Sequence, residues 1–102
     1  GSANEYTWFV KALPSGQLVV QNKDIVFYAT NFDCLDNKWH HFSFSLERNG
    51  FTNCYLDGNL TKNEFGVKWG GFGGAALYLG AGMMLDINGD ETLTERFNGS
   101  ID

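Results

Sequence analysis

Between Trp39 and Gly58 the chain runs WHHFSFSLERNGFTNCYLDG, and the alternation inside that stretch leaves few folds open. Phe42, Phe44 and Leu46 alternate with Ser43, Ser45 and Glu47, a period of two that turns one side of a strand toward a core and the other toward water. Arg48, Asn49 and Gly50 break the pattern. Cys54 and Leu56 then alternate with Asn53, Tyr55 and Asp57, and Asp57-Gly58 supplies a second turn with a residue suited to positive φ. The expected unit is an antiparallel hairpin with an aromatic-rich inner face. With its turn centred near Asn49-Gly50, Cys54 falls opposite about Ser45. Tyr55 faces away from the core beside Ser45 or Glu47, and whether that side forms a binding face is not legible.

The flanks carry the same period. Tyr6, Trp8 and Val10 alternate with Thr7, Phe9 and Lys11, so apolar groups lie on both sides and the strand is expected inside a sheet. Pro14-Ser15-Gly16 ends it. Gln17 to Gln21 and Asp24 to Thr30 predict two short strands around Asn22-Lys23. In the polar connection Asn31 to Lys38, only Phe32, Cys34 and Leu35 offer to pin a loop to the end of the fold. Asn59 to Lys68 predicts a ragged strand and a loop. Trp69 to Gly74 (WGGFGG) predicts a wide loop, because four glycines in six residues lose too much backbone entropy for a regular element. Ala75 to Gly80 predicts a strand. Ala81 to Glu95 has no clear period, and Leu93 to Arg96 is a candidate helical turn.

Thirteen glycines against one proline suit many tight turns between short strands, and 16% aromatics call for packed layers. The 102 residues make one domain, with Gly1-Ser2 set aside as a tag remnant. A net charge of −5 works against binding a phosphate backbone, so nucleic acid is not an expected partner. No apolar run is long enough to cross a bilayer; the longest, Ala75 to Leu79, stops at Gly80. Cys34 and Cys54 are expected as free thiols, because the hairpin leaves Cys34 too far from Cys54 unless the loop before Trp39 folds over the sheet.

At WHH, the apolar alternation, the short turn and Tyr55-Leu56-Asp57-Gly58, the chain resembles the central hairpin of laminin-G-like domains, within the concanavalin A-like lectin and glucanase superfamily. The resemblance extends to Tyr6–Lys11 (YTWFVK), Leu77–Gly80 (LYLG) and Phe97–Asp102 (FNGSID), nearly the whole chain. It implies an all-β antiparallel sandwich of jelly-roll type that binds glycans or other proteins outside the cell. Members of the family carry a strand before the Tyr6 position and a final strand after the FNGSID position. The sheet is therefore expected to be incomplete at both ends, trimmed or completed by a swapped copy or a second polypeptide through its open edge.

Several residues are candidates for chemistry. His40 and His41 are adjacent on a strand and point to opposite faces, so they cannot share one metal without a bulge; a structural role is expected. Asp86, Asn88 and Asp90 place oxygen ligands at alternate positions, but Gly89 comes one position early for an EF-hand and Phe97 stands where a bidentate Glu is needed. By analogy with the family they remain candidates for calcium, against the plainer reading of a solvated acidic loop. Trp69 and Phe72 are the glycan-stacking candidates, with Asn63 and Lys68 supplying hydrogen bonds; the alternative is that both rings plug the open end of the sandwich. The paired carboxylates of the glucanases, spaced Glu-x-Asp-x-x-Glu, do not occur in the sequence, so no enzymatic activity is expected. Asn59-Leu60-Thr61 and Asn98-Gly99-Ser100 match the glycosylation acceptor pattern, mild support for surface turns.

The resulting expectation is a non-catalytic extracellular or cell-surface binding module, most directly for carbohydrate through its rim loops. The alternatives are a protein-adhesion or assembly module working through an open sheet edge, and a degenerate glycoside hydrolase-like domain.

Overall fold

In the computed structural model the described residues are 8–22, 25–67, 69 and 76–87, together with 93–96 and 98–101 as backbone. Among the described residues nine strands follow in order: β1 (Trp8–Ala12), β2 (Leu18–Asn22), β3 (Ile25–Tyr28), β4 (Lys38–Leu46), β5 (Phe51–Leu56), β6 (Asn59–Phe65), β7 (Leu77–Leu85), β8 (Leu93–Arg96) and β9 (Asn98–Ile101). They form a four-stranded sheet in the order β3-β2-β1-β8 and a five-stranded sheet in the order β6-β5-β4-β7-β9. Every pairing is antiparallel. The chain is a β-sandwich, and β1 lies inside its sheet as the two-sided apolar pattern predicts.

Alternation explains the core. Phe42 and Phe44 on β4, Cys54 on β5 and Met83 and Leu85 on β7 are fully buried and meet Val10, Leu18 and Val20 from the other sheet. Inward residues of β7 occupy every second position from Leu77 to Leu85, so the strand extends five residues past the predicted end at Gly80. The sequence hides this because Gly80, Gly82 and Met84, which alternate with them, are not polar. Leu93–Arg96 pairs with β1 as a strand, not a helical turn, so the partner strand overrides a weak local preference. Asn59–Phe65 is continuous strand with one irregularity opposite Cys54/Tyr55.

The central hairpin forms with a shifted register. Glu47 N–H donates to Phe51 O at 2.8 Å, which closes a three-residue loop and moves the turn centre onto Asn49. Cys54 therefore faces Phe44, and Tyr55 faces Ser43. In the loop before β4, Cys34 is buried against Thr30, whose hydroxyl also accepts from Leu18 N–H at 2.9 Å. Both thiols are free.

Candidate functional site

Of the two roles open to Trp69, the structure places it in the buried one. The ring is 8% exposed and packs with centroid separations of 5.2 to 5.4 Å against Trp8, Phe27 and Phe44. Its Nε1–H donates to the hydroxyl of buried Thr52 at 3.0 Å. Little of the ring is open to a ligand, and its burial is the position that the plugging alternative expects. Phe72 and Lys68 lie outside the described residues.

Asn63, the remaining member of that predicted set, lies on the outer face of the five-stranded sheet. Strand register shows what surrounds it. Asn63 pairs with Asn53, Asn53 with Ser45 and Ser45 with Tyr78. In the next outward row Leu60 pairs with Tyr55, Tyr55 with Ser43 and Ser43 with Gly80. Directly opposed residues of an antiparallel pair share a face, so two tyrosines and a band of short hydroxyl and amide groups lie together outside the core.

A depression of about 480 Å³ opens there, lined by Ser43, Ser45, Glu47, Tyr55 and Tyr78. A chain of hydrogen bonds runs to its edge from the neighbouring strands: Asn63 donates to Asn53 Oδ1, and Asn53 Nδ2 donates to Ser45 Oγ at 3.5 Å. Ser45 accepts in that chain and keeps its own proton to donate. Tyr78 is 53% exposed, while Tyr55 and Ser45 are half-buried.

The same face continues along β4 and β7 toward Trp39, which pairs with Met84 and is 70% exposed. Between them His41 pairs with Gly82. Space is tight at the neighbouring Gly80: a Cβ there would lie 3.1 Å from His41 Nε2, so the His41 ring would have to give way by a few tenths of an ångström, whereas one on Gly82 would meet nothing within 4 Å.

The two histidines point to opposite sides, as their adjacency predicts. His40, 13% exposed, is bracketed at the end of the sandwich: Nε2 meets the Asp36 carboxylate at 2.8 Å and Nδ1 meets Asp57 Oδ2. Hydrogen bonds to Asp57 and then Asp36 raise its pKa from 6.5; the His40 ring in turn lowers the Asp36 carboxyl, and the His41 backbone N–H followed by the His40 ring lowers that of Asp57. Asp57 also accepts from His41 N–H at 2.9 Å while its own N–H donates to His41 O at 2.7 Å. These bonds hold a non-glycine residue at φ 52, the first position of a two-residue turn that Gly58 completes at φ 83. The carboxylates sit on opposite ring nitrogens, so the cluster is a staple and cannot close on one metal ion.

For the predicted calcium set, Asp86 is exposed just after β7, while Asn88 and Asp90 lie outside the described residues. Among the described residues no group of three or more His, Cys, Asp or Glu is placed to hold a metal ion. No helix of the described residues is long and apolar enough to cross a membrane.

Ser43, Ser45, Asn53 and Tyr78 did not stand out in the sequence. The signal available was an aromatic on the polar side of each alternation, Tyr55 among Asn53 and Asp57 and Tyr78 beside the glycines of β7. Comparisons of the chain with protein-family profiles, curated proteins and solved structures find no match.

Proposed function

We propose that this chain is a non-catalytic carbohydrate-binding module, and that it works through the outer face of the five-stranded sheet and not through its rim loops. The observation that carries the reading is the pair Tyr55 and Tyr78 flanking Ser43 and Ser45 over an open depression of about 480 Å³. Tyrosine rings offer flat apolar faces to sugar C–H groups, and ordered hydroxyls and amides meet sugar hydroxyls. Among the described residues lining the hollow Glu47 is the one that carries a charge, and its negative sign favours neutral sugars over polyanions. Trp39, exposed at the far end of the same face, is a second ring for a longer ligand. Extracellular or surface placement belongs to the same proposal and rests on the resemblance of the central hairpin and the two acceptor patterns.

The test is a glycan array with the isolated chain, repeated with Tyr55→Ala and Tyr78→Ala. Competable binding lost in both variants, with melting temperatures near that of the parent, supports the reading. Silence of the parent protein, or binding that survives both substitutions, refutes it.

A further inference from the structure

β6 is an edge strand of the five-stranded sheet, and among the described residues its seven make it the longest of the edge strands. Its hydrogen-bonding parity can be read from the turn beside it. Gly66 N–H donates to Gly50 O at 3.1 Å, so Gly66 turns its backbone toward β5. Antiparallel alternation then directs the backbone groups of Glu64 and Lys62 toward β5, and those of Phe65 and Asn63 away from the sheet. Exposed apolar surface accompanies this edge: Phe65 is 66% exposed and Leu60 is 57% exposed. Lys62 is half-buried and Glu64 is exposed.

We propose that this edge pairs antiparallel with the same edge of a second copy, about a two-fold axis through Asn63. Symmetry and charge together select that register. A dyad on Lys62 or Glu64 would set that residue directly against its own copy and oppose like charges at the closest side-chain distance. A dyad on Phe65 would set Glu64 against Gly66, and one on Thr61 falls on the irregular step between Leu60 and Lys62. Centred on Asn63, the two copies exchange N–H···O=C bonds at that residue, and Lys62 of each faces Glu64 of the other. That pair occupies a non-hydrogen-bonded position, where opposed side chains come closest. Two five-stranded sheets then join into one, as an isologous interface requires. The irregular step at Thr61 keeps the ladder short, so the association is concentration-dependent and weakens with salt.

Sedimentation equilibrium of the full chain from micromolar to millimolar concentration, at low salt, tests it. The wild type rises toward twice the monomer mass. Lys62→Glu and Glu64→Lys each place like charges in both cross-pairs and weaken association by about tenfold or more. An equimolar mixture of the two variants restores it, because the acidic edge of one meets the basic edge of the other. Far-ultraviolet circular dichroism confirms that both variants fold. A wild type that stays monomeric throughout, single variants that associate as well as the wild type, or a mixture no better than its components would each overturn the proposal.

Discussion

Replacing Trp69 by alanine tests the account of the core most directly. The indole is 8% exposed, contacts three aromatic rings and holds the hydroxyl of Thr52, itself 1% exposed. Truncating a buried aromatic costs about 3–5 kcal/mol, including the cavity left behind. Leaving Thr52 Oγ1 without its donor accounts for roughly 1–3 kcal/mol of desolvation, part of which collapse of the site relieves. Against a total stability of about 5–15 kcal/mol, Trp69→Ala brings the chain close to global unfolding. With a denaturant slope of about 1.5 kcal/mol/M, the urea midpoint falls by roughly 2–3 M. Trp69→Phe separates the two contributions, since it keeps most of the ring packing and removes only the donor. Its loss is about 1–2 kcal/mol, and adding Thr52→Val recovers part of it by removing the stranded hydroxyl. Fluorescence and circular dichroism followed through urea unfolding measure all four proteins. A midpoint change below about 0.5 M for Trp69→Ala would refute the buried placement, and equal losses for Trp69→Phe with and without Thr52→Val would refute the hydrogen bond.

Two further outcomes follow from titratable groups. The raised pKa of His40 gives stability that is complete below its unfolded value of 6.5 and disappears as pH rises through the folded value. The lowered pKa values of Asp57 and Asp36 give stability that is present above 3.8 and disappears as pH falls through their folded values. The melting-temperature advantage of the wild type over His40→Gln is therefore largest between those limits, and a difference that is flat from pH 3 to pH 9 would contradict the staple. Burial pushes the Cys54 thiol up to about 12 and raises Cys34 as well, so a thiol reagent labels both promptly in denaturant and neither promptly in buffer. Failure to find two reactive thiols in denaturant would show that they are joined.

How much of this was legible can be judged residue by residue. Phe42, Phe44 and Leu46 announce their burial because serines separate them, and a period of two has one structural meaning over that length. Cys54 shows where such reading stops. One extra residue in the loop at Arg48-Asn49-Gly50 moves its partner from Ser45 to Phe44, and a one-residue slip exchanges faces. Loop closure is decided by a backbone bond, Glu47 to Phe51, that composition does not specify. Trp69 stays open in the sequence for a different reason: a large aromatic among glycines suits a rim platform and a plug equally well, and its burial among Thr52 and three distant rings is not local information. The face carrying Tyr55 and Tyr78 assembles strands far apart in sequence, so no local window contained it.

The position of β4 has a consequence for how the chain comes together. One flank meets β5 across a short loop, but the other meets β7, from Leu46 with Leu77 at one end to Lys38 with Leu85 at the other. The β4–β5–β6 meander can form early. Its companion strand is synthesised later and must close a long loop before the ladder rewards it. During translation, Phe42 and Phe44 therefore wait with one neighbour missing, and a nascent chain halted before Leu77 presents a sticky half-sheet, a natural client for a chaperone.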